Sequence, residues 1–271
     1  MTGGGDLDPV ALHAGNLARL ADPAVVVAGY PGSGAALVGN ILLAAGLPYL
    51  DPYTEVVSGD GRTTAAAPQR VGYRSRLAAT DRLDRGGARR MGGPVFLKTH
   101  RYPAEFTGVP VRAVVLLVRD PRDAVHSYFR WRQGFSESGE RGTFDEFLRR
   151  PGGSGLAPAA DWAAFTSGWA DRAGPVHPLR FEDLKHDPLE TMRNLLAAVG
   201  VLPDGATLRA AVAASSFDAM RRHEDDRAAG TARVMRRGLV GEWREWCTPH
   251  LAAGFETPAV RQTAARFGYV V

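Results

Sequence analysis

Residues Val114–Arg130 read Val-Val-Leu-Leu-Val-Arg-Asp-Pro-Arg-Asp-Ala-Val-His-Ser-Tyr-Phe-Arg, and this run limits the fold more than any other. Five consecutive apolar residues without polar alternation suit a strand covered on both faces. Asp120-Pro121 then offers a helix N-cap and a proline at the first helical position, so the strand passes straight into a helix. Arg119 stands at that junction and Ser127 follows eight residues later. Ligands of open α/β sheets bind at the carboxyl ends of the strands. A guanidinium there can grip a phosphate as a two-pronged fork, with Ser127 adding a hydroxyl from the helix. An ion pair from Arg119 to Asp120 or Asp123 accounts for the same residues equally well, and the run alone does not choose.

The strand-then-helix pattern recurs, which points to an α/β fold: a single domain over residues 1–271 with a mostly parallel central sheet flanked by helices. A short first helix ends at Leu17–Leu20 within an N-terminal segment, residues 1–23. Ala24–Ala28 reads as a buried strand, Gly29–Gly34 as a turn and about Ala35–Ala45 as an apolar helix stopped by Gly46 and Pro48. Val95–Lys98 is a short strand, Val111–Val118 the central one, and Asp120–Arg132 its helix. Asp161–Arg172 reads as a helix, Val176–Phe181 as a strand, and Pro188–Val199 as a helix closed by Gly200. The tail from Thr207 is helical in pattern with a charged break at Arg221–Thr231, part of a covering loop expected over 221–243. Ser58–Gly93 looks like an inserted lid, polar and glycine-rich, with a basic helical segment near Arg70–Arg90.

Lysine and arginine number 33 against 29 acidic residues, a net +4. That suits an anionic small ligand and is too little, and too scattered, for nucleic acid. One cysteine, Cys247, excludes an internal disulfide and a multi-cysteine metal site, and no metal is expected. The first residues, Met-Thr-Gly-Gly-Gly-Asp-Leu-Asp, lack a basic and then apolar leader, and no run nears the roughly 18 apolar residues of a membrane span. The expectation is a cytoplasmic protein without membrane partners.

Three loops carry candidate chemistry. Gly29-Tyr30-Pro31-Gly32-Ser33-Gly34 joins a strand to a helix, so its backbone N–H groups and the helix dipole can cradle a phosphate. It lacks the Walker Lys-Ser/Thr, and a plain tight turn fits the same letters. Lys98-Thr99-His100 ends a strand with Lys98 and His100 on one side of it, a charge stabiliser and a general base at the same sheet edge. Arg236-Arg237-Gly238 is a basic turn in which the glycine lets the backbone approach an anion.

Taken in order, these segments resemble the sulfotransferases that use 3′-phosphoadenosine 5′-phosphosulfate. The family's Tyr-Pro-Lys-Ser-Gly-Thr-Thr-Trp loop is similar to Tyr30-Pro31-Gly32-Ser33-Gly34-Ala35-Ala36-Leu37, and its Lys-Thr-His strand to Lys98-Thr99-His100. Its Arg and Ser of the 3′-phosphate site match Arg119 and Ser127. Its Tyr-Glu-Asp-Leu-Lys element resembles Phe181-Glu182-Asp183-Leu184-Lys185, its Thr-Ser-Phe segment Ser215-Ser216-Phe217, and its Arg-Lys-Gly-x-x-Gly-Asp-Trp loop Arg236-Arg237-Gly238-Leu239-Val240-Gly241-Glu242-Trp243. The resemblance implies that Tyr30–Leu37 form a P-loop-like phosphosulfate loop, and that Arg119, Ser127, Arg236, Arg237 and Gly238 hold the 3′-phosphate. It implies that Phe181, Ser215 and Phe217 line the nucleotide, that His100 deprotonates an acceptor hydroxyl, and that Lys98 stabilises the leaving phosphate. The co-substrate is then 3′-phosphoadenosine 5′-phosphosulfate, and the partner a small-molecule or natural-product hydroxyl.

The sequence departs from that pattern in the phosphosulfate loop, where Gly32 replaces a lysine, Ala35 and Ala36 replace hydroxyl residues, and Leu37 replaces a tryptophan. Arg101 or Arg62 is a candidate to compensate, and Gly32→Lys is expected to be harmless or helpful if the loop is merely impoverished. A catalytically weak, nucleotide-binding descendant is the alternative. Tyr53, Tyr73, Phe135 and Trp162 are candidate contacts for an aromatic acceptor. The Ala, Gly and Arg bias points to a GC-rich bacterial genome and a tailoring role for natural products; the oligomeric state is left open.

Overall fold

The computed structural model describes residues 9–18, 23–53, 55–57, 62–65, 89–90, 94–135, 140–227 and 236–271. Helix α1 (Pro9–Leu17) precedes strand β1 (Ala24–Gly29) and helix α2 (Ala35–Ala44). Four short strands follow: β2 (Tyr49–Leu50), β3 (Glu55–Val57), β4 (Arg62–Ala65) and β5 (Arg89–Arg90). Strands β6 (Phe96–Thr99) and β7 (Val111–Val118) lead to helices α3 (Pro121–Phe135), α4 (Phe144–Arg149) and α5 (Pro158–Ala170). Strand β8 (Val176–Arg180) runs into α6 (Phe181–His186), and then come α7 (Pro188–Ala198), α8 (Gly205–Ala214) and α9 (Phe217–Arg227). Short helices α10 (Trp243–Trp246) and α11 (Pro249–Ala252) precede the last, α12 (Pro258–Arg266).

The main sheet has the order β2-β6-β1-β7-β8 with every pairing parallel. All six residues of β1 and the last six of β7 are buried, which is why both strands read as unbroken apolar runs. Alternation divides them between two cores. Val26, Ala28, Val114, Leu116 and Val118 meet Trp162, Phe165 and Trp169 of α5 on one face. Val25, Val27, Val115 and Leu117 meet Ile41 and Leu42 of α2 and Leu195 and Leu196 of α7 on the other. The start of α3 follows its sequence cues: Asp120 Oδ1 accepts the Arg122 backbone N–H at 3.0 Å, with Pro121 between them.

Two expectations are corrected. The charged break proposed at Arg221–Thr231 is helical through Arg227, because α9 continues across it, so the covering loop is shorter than 221–243; residues 228–235 lie outside those described. The basic helix near Arg70–Arg90 lies largely outside them too, and its last two residues form strand β5, which pairs in a small antiparallel sheet ordered β3-β4-β5. Apart from β4 and β5, the expected lid is likewise outside the described residues. Among those described, no helix is long and apolar enough to cross a membrane.

Chain order places the site. β1 continues to one side of the sheet, toward β2, whereas β7 continues to the other, toward β8, so the β1–β7 boundary is a switch point. Parallel register aligns Ala28 with Thr99, Gly29 with Leu117, and Val118 with Arg180. The segments that follow, beginning at Tyr30, His100, Arg119 and Phe181, therefore leave one edge of the sheet together.

Candidate active site

The loop after β1 is shaped by close packing. Gly32 and Gly34 have φ of +89° and +103°, conformations that favour glycine. A Cβ on Gly32 would lie 2.4 Å from the Ala124 carbonyl oxygen and 3.1 Å from Ser127 Cβ; one on Gly34 would lie 2.6 Å from the Phe181 ring. The loop is thus wedged between α3 and α6, and Gly32 is no vacated lysine slot: the expectation that lysine fits there is corrected. Tyr30 is an anchor in the core, its hydroxyl donating to the Pro158 carbonyl at 3.2 Å and its ring edge-on to Tyr128 and Phe165. Pro31 is partly buried, as are Ala36 and Leu37, while Ala35 is buried and opens α2. Ser33 is buried, and its hydroxyl has no hydrogen-bond partner. Of the two arginines considered as replacements for the missing cation, Arg101 has its Nε paired with Glu105 at 2.6 Å, and the Arg62 side chain is outside those described.

Arg119 makes contacts that sequence does not foresee. Asp120 is taken by Arg122, at 2.7 Å, and Asp123 approaches Arg119 only to 3.8 Å. The stronger bonds of Arg119 run to backbone: Nη1 donates to Gly32 O at 3.0 Å and Nη2 to Leu239 O at 2.9 Å. One side chain thereby ties the glycine loop to the C-terminal loop. A guanidinium has five N–H donors, and here the buried Nε–H has no partner among the described residues. The guanidinium also lies 4.4 Å from the Phe181 ring centroid, and burial lowers its pKa from the usual value.

The C-terminal loop folds over this arginine. Gly238, at φ +61°, leaves room for Phe217, whose ring a Cβ would approach to 2.6 Å. Arg236 and Arg237 reach Glu242 Oε1 at 3.3 and 3.5 Å, and Arg237 also grips Glu245 at 2.5 and 2.9 Å. Arg236 is close enough to Arg119 to depress its pKa, whereas Arg237 is turned to the rim. Ser215 is wholly buried with an unpartnered hydroxyl. Sequence reading passed over Lys185, which sits 5.7 Å from the Phe217 ring and whose pKa is lowered by burial and then by Arg119. Its place in the Phe181–Lys185 element, one helical turn from Phe181, was the available signal.

At the end of β6, His100 Nδ1 lies 2.6 Å from Gly29 O. A carbonyl only accepts, so the proton sits on Nδ1 and Nε2 carries the lone pair. Burial, and then the charge of Lys98, push the His100 pKa down to about 3, keeping the ring neutral. Lys98 Nζ is 3.1 Å from Asp51 Oδ2. Tyr53 stacks on His100 at 5.8 Å, and its hydroxyl accepts the His100 backbone N–H at 3.0 Å. Behind them His13 contacts Thr99 Oγ1 at 3.1 Å. Asp51 was missed because a lone carboxylate after a two-residue strand carries no sequence signal. Of the aromatic acceptor contacts, Tyr53 is at the site, but Trp162 is fully buried in the core and is withdrawn; the side chains of Tyr73 and Phe135 are outside those described.

A family model for the sulfotransferase domain matches residues 22–262. The chain belongs to the sulfotransferase family. It is 27% identical to sulfotransferase 4A1 of Mus musculus over 144 residues, 53% of this chain and 49% of that protein. It is 25% identical to sulfotransferase 2A1 of Mus musculus over 173 residues, 59% of each. The chain thus spans about half to three fifths of the length of these relatives. Among solved structures, mouse sulfotransferase SULT7A1 complexed with PAP superposes with a TM-score of 0.61 at 17% identity, over 90% of this chain and 85% of that one. The sulfotransferase domain of the Synechococcus PCC 7002 olefin synthase does so with 0.54 at 18%, over 92% and 96%. These neighbours share the α/β fold, its parallel sheet included.

Proposed function

We propose that this sulfotransferase-family chain moves a sulfuryl group from 3′-phosphoadenosine 5′-phosphosulfate to a hydroxyl of a small molecule or natural product. The observation that carries the reading is a neutral His100, its Nδ1 proton committed to Gly29 O, on the same sheet edge as the unpartnered buried donors of Arg119 and Ser33. Unsatisfied buried polar atoms are rare in folded proteins and call for a ligand or water. Two sites of this kind beside a glycine loop and a helix N-terminus fit a nucleotide with anionic groups at both ends. Retinol dehydratase, 18% identical over 90% of this chain and 82% of its own, was crystallised with androsterone and PAP, which supports a small-molecule acceptor.

The donor brings the activated sulfuryl group and a good leaving group; this chain's residues position and stabilise. Ser33 N–H is bonded to Tyr30 O, so the backbone N–H groups of Gly32, Gly34 and Ala35 at the α2 N-terminus are left to serve the 5′ end, while Arg119, Ser127 and Arg236 serve the 3′-phosphate. His100 Nε2 accepts the proton of the acceptor hydroxyl. Lys98, held by Asp51, offsets negative charge developing on the departing phosphate oxygen. Tyr53 fixes the plane of the His100 ring.

A second reading, a nucleotide-binding descendant with weak transfer, has its own observation: Gly32 has no room for the loop lysine and Ala35 and Ala36 bring no hydroxyl. Transfer of radiolabelled sulfate from the donor to a panel of phenols, glycosides and hydroxylated natural products separates the two. Labelled product with any acceptor supports transfer; tight bisphosphate binding with no product across the panel favours the descendant.

A further inference from the structure

Asp123 is buried on the first turn of α3, its side chain without solvent exposure. Its two oxygens accept separate backbone donors from a segment 118–120 residues away: Gly241 N–H to Oδ2 at 2.8 Å and Trp243 N–H to Oδ1 at 2.7 Å. Those donors flank the N-cap of α10, where backbone N–H groups lack partners within the helix. Neighbouring contacts hold the same junction. The Arg122 guanidinium lies 3.5 Å from the Trp243 ring centroid, and His126 stacks on Trp246 at 4.4 Å. Gly241, itself the first donor, turns the chain at φ +72° ahead of Trp243. Asp123 also faces Arg119 at 3.8 Å, while Arg119 reaches Leu239 O in the same loop and Gly32 O across the site.

We infer that Asp123 is the positioning residue of the 3′-phosphate site: it pins the Arg236–Trp243 loop to α3 so that Arg236 and the Arg119 Nε–H converge on one anion. The inference rests on the donor reading above and goes further, assigning to a group that touches no nucleotide the preference for a 3′-phosphate. Charge makes the latch strong. A carboxylate taking two backbone N–H bonds gives charge-assisted bonds that an amide cannot reproduce, since an amide has only one acceptor oxygen and would set its NH2 against the second N–H. Loosening the loop removes Arg236 from the 3′ end while leaving the glycine loop, Lys98 and His100 in place.

The test compares wild type with Asp123→Asn, measuring affinity for adenosine 3′,5′-bisphosphate and for adenosine 5′-monophosphate, together with the donor KM and kcat. The latch predicts that the variant loses about tenfold or more in bisphosphate affinity, holds monophosphate affinity within about twofold, and shows a raised donor KM at unchanged kcat. Equal losses for both nucleotides would mean general destabilisation and would overturn it, as would no loss for either. If wild type itself fails to bind the bisphosphate, the donor reading falls instead. Should the variant not fold, amide hydrogen exchange on the wild-type chain decides: slow exchange at Gly241 and Trp243, slowed further by bisphosphate, supports the latch, and exchange at the rate of open loops contradicts it.

Discussion

The two ends of the proposed nucleotide site are built differently. At the 3′ end, Arg119, Asp123 and Glu242 are all buried, and they cross-link three chain segments through backbone and side-chain bonds. At the transfer end, the glycine loop contributes backbone and one buried hydroxyl, and the lysine that shares β6 with the approach to His100, Lys98, is held by Asp51. The first end gains specificity from fixed donors. The second is organised around a single neutral imidazole and a paired lysine. On the proposed reading, the donor is recognised by its 3′-phosphate and transfer depends on very few groups.

The largest effect expected from that contrast is at His100. His100→Ala should lower transfer about 10³-fold, in the range of a lost general base, while bisphosphate affinity stays within about twofold; steady-state rates and titration calorimetry check both. A comparable loss of affinity would erase the distinction between the two ends.

Gly32→Lys should come next. Its Cβ would intrude on the Ala124 carbonyl at 2.4 Å from a backbone at φ +89°, so the substitution should cost about 2–4 kcal/mol, read as a lowered thermal midpoint, and reduce activity. Unchanged stability with higher activity would restore the view of an impoverished loop.

This position also marks the limit of sequence reading. Comparing letters locates Gly32 opposite a lysine but cannot show that α3 fills the space, because that contact joins residues about ninety positions apart. The parallel sheet, by contrast, was legible: β1 and β7 are buried on both faces, and burial writes itself as an unbroken Val/Ala/Leu run. The placement of Lys98, His100 and Arg119 at one sheet edge was legible because they stand at the carboxyl ends of β6 and β7. Their partners were not. Asp51 is a single carboxylate whose role comes from tertiary contact, Asp123 was readable as an ion-pair partner of Arg119 but not as the acceptor of two distant backbone donors, and Arg119 bonds backbone carbonyls, which every residue possesses. The Arg221–Arg227 segment misled for a related reason: its charge density reads as a loop, yet Met220 and Glu224 are buried on one face of α9.

A smaller, diagnostic effect concerns pH. The folded His100 pKa, pushed down to about 3 chiefly by burial, lies below the 6.5 of a free histidine. The base therefore stays unprotonated as pH falls through 6.5, and kcat/KM should show no acidic limb near that value. Stability runs the other way, since burial also lowers His13 and His126 to about 4. A buried neutral histidine contributes stability that is complete above pH 6.5 and is lost as pH falls toward its folded pKa. The loss is roughly 2 kcal/mol each by pH 5. An acidic limb at 6.5 while the protein remains folded would place His100 in a wetter, less constrained setting than the one that distinguishes the transfer end.

The most direct measurement is calorimetric titration of the wild-type chain with adenosine 3′,5′-bisphosphate and with adenosine 5′-monophosphate under one set of salt conditions. Charge-assisted phosphate contacts are worth about 1.5–3 kcal/mol each, so the account predicts at least a 100-fold preference for the bisphosphate. Equal affinities would contradict it, leaving Arg119 and its latch as structural cross-links with no part in choosing the ligand.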